Sequence, residues 1–284
     1  MVKLIECPRD AMQGIKAFIP TEQKIQYINQ LLKVGFDTID FGSFVSPKAI
    51  PQMADTHEVI QSIDLTTTSS KLLAIIANKR GALDACTYSP IQYLGYPFSI
   101  SETFQMRNAN STIAESLETV KEIQALCEEN NKKLVIYISM GFGNPYGDPW
   151  NVSIAQKWVD ELAELGIKII SLSDTIGVST PESIHYLFYN LIPPYPDVEF
   201  GAHLHTTPTT WREKIQAAWS GGCKRFDGAL KGMGGCPMAK DELTGNMPTE
   251  QMIYFFDEIH EELGINWKEL NKSMQIAEDL FHTN

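Results

Sequence analysis

Short apolar runs alternate with longer amphipathic segments along most of the chain. Apolar runs of about four to eight residues are typical of buried strands, and apolar positions three and four apart are typical of helices. The alternation predicts strands that are each followed by a helical segment. The predicted strands are Val2–Cys7, Phe36–Phe41, Lys71–Ala77, Ala85–Tyr88, Lys133–Ser139, Lys168–Asp174, Val198–His205 and Cys223–Ala229.

Helix signals occupy most of the intervening segments. Thr180 before Pro181 is a typical N-cap followed by proline at the first helical position. We expect a loop from Ser89 to Asn110. The helix after this loop is long, so we also expect this helix to cover the site. The predicted helices are Thr21–Val34, Pro51–Ile60, Thr112–Asn130, Asn151–Leu165, Pro181–Leu191, a segment through Ala217 and Ala218, Thr249–Leu263 and Trp267–Leu280.

Eight strand–helix alternations predict an α/β fold, a (β/α)8 TIM barrel with additional C-terminal helices. We expect residues 1–284 to form a single domain. Active sites of such barrels lie where the strands end and the loops begin. Polar residues stand at the predicted strand ends, namely Asp10, Asp40, Asn78, Ser139, Asp174, His203 and His205.

The composition excludes several classes of partner. A formal charge of -12 argues against a nucleic-acid or anionic-membrane surface. No apolar run approaches the ~18 residues that a membrane span needs. Five cysteines without a C-x-x-C pair, together with a strand-like N-terminus in place of a signal peptide, predict a cytoplasmic protein.

Two histidines stand one residue apart at the end of the seventh predicted strand. Since strand side chains alternate between faces, His203 and His205 point the same way and can bind one metal ion together. Such a pair can also cap a strand or bond to nearby carbonyls, so the pair alone does not decide between a metal site and a structural role.

Five motifs in the same order resemble 3-hydroxy-3-methylglutaryl-CoA lyase, one of the metal-dependent aldolase and Claisen-condensing TIM barrels. The resemblance extends from near Leu4 to about Trp267. The motifs are Arg9-Asp10-x-x-Gln13, Ser43-Phe44-Val45-Ser46-Pro47-Lys48, Ser173-Asp174-Thr175-Ile176-Gly177, His203-x-His205, and Gly234-Gly235-Cys236-Pro237 with Gly245-Asn246.

The resemblance implies cleavage of an acyl-CoA substrate, 3-hydroxy-3-methylglutaryl-CoA, to acetoacetate and acetyl-CoA. It also implies a role in leucine degradation and a homodimer. A divalent cation would be bound by Asp10, His203, His205 and Asn246. Two imidazoles and two oxygen donors without a thiolate suit Mg²⁺ or Mn²⁺ best, and Zn²⁺ or Co²⁺ are weaker candidates.

The resemblance also assigns roles to single residues. Arg9 would stabilise the thioester oxygen, Asp10 would join it in catalysis, and Cys236 on a glycine-rich loop would transfer a proton. Gln13, Asp40 and Asp174 would orient ligands or bind substrate. Lys16 is a candidate partner for the CoA phosphates, together with Lys48, Lys79, Arg80 and Lys240.

Some positions depart from the family pattern. Thr206 follows the second histidine where the family usually has Asp, and Asp40 stands where it usually has Glu. Two alternatives therefore stay open. One is a related acyl-CoA aldolase or Claisen-type condensing enzyme with a different acyl substrate, although the condensing enzymes carry a further C-terminal region. The other is a non-catalytic barrel that keeps the metal site.

Overall fold

Eight parallel strands close into a barrel in the computed structural model, which describes residues 1–235 and 244–282. Neighbouring strands follow chain order, and the first strand pairs with both the second and the last. The strands are β1 (Lys3–Glu6), β2 (Thr38–Ser43), β3 (Lys71–Ile75), β4 (Ile91–Ser99), β5 (Lys133–Ser139), β6 (Ile169–Ser173), β7 (Glu199–His203), β8 (His205–Thr206), β9 (Arg225–Gly228) and β10 (Gly245–Asn246). All but β8 and β10, which form an antiparallel pair, belong to the barrel.

Helices follow the strands on the outside of the barrel. Among the described residues they are α1 (Pro8–Gln13), α2 (Thr21–Leu31), α3 (Thr56–Ser62), α4 (Lys79–Cys86), α5 (Glu102–Ala109), α6 (Ile113–Glu129), α7 (Val152–Glu164), α8 (Pro181–Leu191), α9 (Trp211–Ser220), α10 (Thr249–Glu258) and α11 (Trp267–His282). Helix α11 packs on α2, with the ring of Phe281 edge-on to that of Tyr27. The predicted (β/α)8 barrel with additional C-terminal helices is confirmed.

Apolar side chains form two layers because strand side chains alternate between the two faces of the sheet. The larger core lies between the strands and the helices. A smaller cluster fills part of the barrel interior and consists of Leu73, Tyr93, Val135, Tyr137 and Ile169. On β9, Arg225 and Asp227 lie two residues apart and are both buried, so polar groups share the interior with this cluster.

The prediction for the fourth strand is wrong. Ala85 and Cys86 lie in helix α4, and β4 occupies Ile91–Ser99, inside the stretch expected to be a loop. Gly95 and Pro97 interrupt its pattern, and both residues disfavour strands. Glycine allows close packing there, since a Cβ on Gly95 would lie 2.6 Å from Cδ1 of Ile75. The same stretch also contains helix α5.

Helix α6 does not cover the site, contrary to expectation. It packs against β4, β5 and α4, and its buried side chains Val120, Ile123 and Cys127 belong to the outer core. Among the described residues, no helix is long and apolar enough to span a bilayer.

Candidate active site

A cavity of about 520 Å³ opens at the carboxyl ends of the barrel strands. The polar rim predicted from the strand ends therefore surrounds one space in large part, although Asp40, Asn78 and Asp174 do not line it. The polar side chains that line it are Arg9, Asp10, Gln13, Asn108, Ser139, Ser173, Thr175, His203 and His205.

Asp10, His203 and His205 converge on one point of this cavity. Each presents a ligand atom, and these atoms lie within 4.8 Å of one another. Nε2 of His203 is 4.0 Å from Oδ2 of Asp10, and the two imidazole centroids are 5.6 Å apart. Asp10 comes from α1 and the histidines from β7 and β8, so the fold brings together residues that lie far apart in the chain.

His205 has a free ligand atom. Its Nδ1 lies 3.0 Å from the backbone carbonyl of Thr175, which accepts a hydrogen bond and places the imidazole proton on Nδ1. Its Nε2 is buried and has no hydrogen-bond partner in the described part of the chain. A buried polar atom without a partner is costly unless a ligand satisfies it. His205 belongs to the cluster with Asp10, so a cation bound by this cluster would satisfy the unpaired nitrogen.

His203 is oriented from behind by Asp227, a residue that the sequence analysis missed. Nδ1 of His203 lies 3.2 Å from Oδ2 of Asp227, which leaves Nε2 facing Asp10. Metal-binding histidines in proteins usually donate their second nitrogen to such a carboxylate. Asp227 lies on β9, a short strand that also carries Arg225, so its charge gives no clear signal in the local sequence.

Asn246 joins the group through the short antiparallel pair of β8 and β10. His205 and Asn246 are register partners in this pair. Nδ2 of Asn246 donates to Oδ2 of Asp10 at 2.8 Å and to the carbonyl of Met233 at 2.8 Å. The predicted ligand set of Asp10, His203, His205 and Asn246 thus lies at one rim.

Arg9 is held by three neighbours. Its Nε and Nη2 donate to Oδ2 of Asp40 at 3.0 and 2.5 Å. Its Nη1 donates to Asp10 and to Gln13 at 3.0 and 2.9 Å, and Gln13 in turn donates to Asp10. An arginine has five N–H groups, so one hydrogen on Nη2 has no partner among the described residues. Asp40 and Gln13 therefore orient Arg9 and leave it one free donor at the cavity.

The charges in the site favour an ionised Asp10 beside a neutral His205. Burial raises the pKa of Asp10, but Arg9 and both histidines reverse the sign, so this pKa lies below its ordinary value. Burial and then the charge of His203 lower the pKa of His205. Burial lowers the pKa of His203, but the hydrogen bond and charge of Asp227 outweigh it and raise the pKa. Ionised carboxylates and neutral imidazoles are the forms that bind metals.

The pKa of Asp40 also sets the charge state of the pair that Asp40 forms with Arg9. Burial raises the pKa of Asp40 to about 6, although Arg9 opposes the shift. Burial lowers the pKa of Arg9, but Asp40 and Asp10 outweigh this and raise it, so the guanidinium stays charged. At pH 7 the pair is therefore mainly an ion pair.

Asp174 was expected to orient ligands or to bind substrate, and its carboxylate is taken up by protein groups. It accepts from the hydroxyl of Ser179 and, at 2.8 Å, from Nζ of Lys214. Nζ of Lys214 also donates to the carbonyls of His205 at 2.9 Å and Gly177 at 3.3 Å. Lys214, which the sequence analysis missed, thereby ties Asp174 to the backbone of a predicted ligand.

The structure does not bring the remaining predicted residue among those described, Lys16, to the cavity. Lys16 is exposed in the loop after α1 and does not line the cavity. Cys236 and Lys240 lie outside the described residues. Gly235, the last residue before that gap, lines the cavity.

Comparisons with known proteins agree on one family. The model of the family described as HMGL-like matches residues 2–277. A hydroxymethylglutaryl-CoA lyase of Bacillus subtilis is 31% identical over 272 residues, which are 96% of this chain and 90% of the relative. A 3-hydroxy-3-isohexenylglutaryl-CoA/hydroxymethylglutaryl-CoA lyase of Pseudomonas aeruginosa is 34% identical over 266 residues, 91% of this chain and 86% of the relative.

Solved structures give the same result. An HMG-CoA lyase from Acinetobacter baumannii, in complex with coenzyme A and 3-methylmalate, matches with a TM-score of 0.90 and 30% identity. The match covers 99% of this chain and 91% of that one. The HMG-CoA lyase of Bacillus subtilis matches with a TM-score of 0.92 and 31% identity, over 98% and 93% of the two chains.

Proposed function

We propose a function from one premise: the chain belongs to the HMGL-like family. The family match spans nearly the whole chain, and lyases of this kind are 31% and 34% identical along most of their own length. The resemblance drawn from the five motifs is confirmed. The chain is a carbon–carbon lyase that cleaves 3-hydroxy-3-methylglutaryl-CoA to acetoacetate and acetyl-CoA.

One observation carries this proposal at the level of atoms. Three distant segments, near positions 10, 204 and 246, meet at one rim, where Asn246 donates to Asp10 and where His205, whose buried Nε2 has no partner among the described residues, belongs to the same cluster. A buried nitrogen without a partner is costly, and a ligand bound at this rim would satisfy it.

The four residues Asp10, His203, His205 and Asn246 would hold a divalent cation, Mg²⁺ or Mn²⁺ in preference to Zn²⁺ or Co²⁺. The unpartnered Nε2 of His205 and the absence of a thiolate from this donor set support a site of this kind. When bound, such a cation lowers the pKa of the substrate hydroxyl and orients it.

Arg9 is proposed to stabilise the negative charge that develops on the thioester oxygen as the carbon–carbon bond breaks. Its support is the clamp of Asp40 and Gln13, which holds the guanidinium while one Nη2 hydrogen stays free. A preoriented donor needs no reorganisation during the reaction, so it stabilises the transition state more than a mobile one.

Two residues are proposed to move protons. Asp10 is ionised beside Arg9, and we assign it as acceptor of the hydroxyl proton. Cys236, from the resemblance, would donate a proton to the enolate carbon of acetyl-CoA.

Two other residues are proposed to have supporting roles. Asp174 would orient His205 through Lys214, and Lys16 would bind a CoA phosphate at the surface.

Further proposals concern the setting of the protein. We propose a homodimer in the cytoplasm that acts in leucine degradation, and a single domain over residues 1–284. The support is the family and, for the cytoplasm, four cysteines that are free thiols among the described residues. A different 3-substituent on the glutaryl thioester is the leading alternative substrate, and the double name of the Pseudomonas aeruginosa relative favours it.

The test is to incubate the purified protein with Mg²⁺ and 3-hydroxy-3-methylglutaryl-CoA and to measure acetyl-CoA release. We expect His205→Ala to lose both metal uptake and cleavage, and Cys236→Ala to keep the metal and lose mainly turnover. Normal rates from either variant would remove that assignment. Metal binding without turnover by the unaltered protein, unchanged in Arg9→Met, would favour a non-catalytic barrel.

A further inference from the structure

Charged side chains of alternating sign lead through the barrel to the candidate active site. From the amino ends of the strands they are Lys3, Glu199, Arg225 and Asp227, which we call the charge column. Lys3 donates to Glu199, and Oε1 of Glu199 accepts from Nη1 of Arg225 at 3.2 Å. Asp227 accepts from Nδ1 of His203 at 3.2 Å. The charge column therefore ends at a proposed metal ligand.

The register of the strands sets the order of the charge column. Arg225 pairs with Lys3 on β1 and with Gly201 on β7, and Asp227 pairs with His203. Residues two apart on a strand point to the same face, so Arg225 and Asp227 both face the interior of the barrel. Their exposed fractions are 0% and 2%. The guanidinium is thus enclosed by the strands and lies nearer to their amino ends than Asp227 does.

Arg225 is held in place by its neighbours in the barrel. The central carbon of its guanidinium lies 5.7 Å from the centre of the ring of Tyr93, and a cation is attracted to an aromatic ring at this distance. A Cβ on Gly201 would lie only 3.2 Å from Cδ of Arg225, so the side chain packs closely on the glycine. Together with the bond to Glu199, these contacts limit the positions that the guanidinium can adopt.

The charge of Arg225 acts on Asp227. Burial lowers the pKa of Arg225, but the charge of Asp227, followed by those of Tyr137 and Glu199, outweighs burial and raises this pKa. The carboxylate of Asp227 makes one hydrogen bond among the described residues, with His203, and its buried Oδ1 has no partner among them. Since an uncompensated buried carboxylate is costly, the positive charge of Arg225 stabilises Asp227.

We propose that Arg225 is a positioning residue for the metal site. By stabilising the carboxylate of Asp227, it keeps Nδ1 of His203 as the donor and leaves Nε2 directed towards Asp10 and the cation. Arg225 does not line the cavity, so it contacts neither the cation nor the substrate. The inference rests on the proposed function, because it requires a cation at the proposed ligands.

The test is a double-mutant cycle in which calorimetric titration of the full chain measures Mn²⁺ affinity. Arg225→Gln should weaken Mn²⁺ binding about 10-fold, the loss typical when a group that orients a ligand is removed. In the background of Asp227→Asn the same substitution should have little further effect, because Arg225 acts through Asp227. Equal losses in the two backgrounds would overturn the inference.

A conservative variant completes the cycle. Arg225→Lys keeps the positive charge and should bind Mn²⁺ more tightly than Arg225→Gln. Lysine lacks the planar fork of arginine, so it should bind Mn²⁺ less tightly than the unaltered protein. If Arg225→Gln does not fold, Arg225→Lys takes its place in the cycle, and its smaller loss should likewise disappear beside Asp227→Asn.

A second measurement needs neither metal nor activity. Two-bond ¹H–¹⁵N spectra of the metal-free protein, labelled with ¹⁵N-histidine, show which nitrogen of His203 carries the proton, and His203→Gln identifies its signals. We expect the proton on Nδ1 in the unaltered protein and a larger share of it on Nε2 in Arg225→Gln. A purely structural role of Arg225 would leave the tautomer of His203 unchanged.

Lys24→Met is the control for loss of stability. Lys24 lies on helix α2 outside the barrel and forms a buried ion pair with Asp55 at 2.8 Å. Both Lys24→Met and Arg225→Gln should unfold at lower urea concentrations than the unaltered protein. Lys24→Met should nevertheless keep the Mn²⁺ affinity and the tautomer of His203. If it loses as much Mn²⁺ affinity as Arg225→Gln, the effect is general and the inference is wrong.

The outcomes separate this inference from the proposed function. If the unaltered protein cleaves 3-hydroxy-3-methylglutaryl-CoA and Arg225→Gln changes neither the Mn²⁺ affinity nor the tautomer of His203, the inference alone is wrong. If the unaltered protein binds Mn²⁺ without cleavage and the cycle behaves as expected, the proposed function alone is wrong. If the unaltered protein neither binds Mn²⁺ nor cleaves the thioester, both are wrong.

Discussion

Lys214→Met should destabilise the protein and weaken the proposed metal site at the same time. The side chains of Lys214 and Asp174 are 5% and 0% exposed and lie 2.8 Å apart. Methionine would leave the carboxylate buried with only Ser179 as a partner. Breaking a buried ion pair from one side costs ~3–5 kcal/mol, because the remaining charge is not compensated. We expect a loss of this size in the free energy of unfolding.

The same substitution reaches the metal site through the backbone. Nζ of Lys214 holds the carbonyls of His205 and Gly177, and the neighbouring carbonyl of Thr175 accepts from Nδ1 of His205. Loss of groups that orient a ligand typically lowers metal affinity about 10- to 100-fold. Urea unfolding monitored by circular dichroism measures the first effect, and calorimetric titration with Mn²⁺ measures the second.

Two controls make this prediction specific. Arg212 lies on the same helix and forms an exposed ion pair with Glu258, so Arg212→Met should leave the free energy of unfolding nearly unchanged. The double variant Lys214→Met/Asp174→Leu removes both charges and should recover much of the stability, though not the metal affinity. The reasoning is refuted if Lys214→Met unfolds like Arg212→Met, or if it is destabilised but binds Mn²⁺ normally.

Three further substitutions test separate parts of the structure. Burial raises the pKa of Glu6 to about 8, so the folded protein keeps a proton that the unfolded chain releases near the ordinary pKa of a glutamate. The free energy of unfolding should therefore fall from pH 5 to 8. Urea titrations across this range should show a smaller fall for Glu6→Gln. If the unaltered protein and Glu6→Gln lost stability equally with rising pH, Glu6 would not be the group responsible. Asp227→Asn should weaken Mn²⁺ binding about 10-fold or more by releasing His203, and unchanged affinity would exclude the orienting role. A Cβ on Gly228 would lie 2.7 Å from a backbone oxygen, so Gly228→Ala should lower the melting temperature by about 4 °C or more, whereas Gly14→Ala, with open space around it, should not.

Most of the barrel was predictable because its strands are continuous apolar runs that are buried on both faces. Strand β4 is the exception, and it was predicted to be a loop. Its Gly95 packs closely against Ile75, and packing of that kind depends on a neighbour that is distant in the sequence. The pattern around Gly95 and Pro97 therefore looks like a loop.

The candidate site was predictable to a different degree. The histidine pair and Asp10 stand at strand ends, where position and residue type together indicate a ligand. Lys214 was missed because an amphipathic helix contains lysines that are mostly solvated, and only the fold shows that this one is buried against Asp174. Asp227 was missed because β9 also carries Arg225, so a second charged residue did not stand out in the local sequence.

The hydrogen bond between Asn246 and Asp10 joins residues that are 236 positions apart in the chain. A donor set assembled over that distance cannot form in any local fragment, since the loop it closes includes the whole barrel. During synthesis, a nascent chain has all four predicted ligands only once the segment after the last barrel strand has emerged. Tight cation binding would therefore indicate that the barrel has closed, and a metal ion would stabilise the protein only after folding is complete.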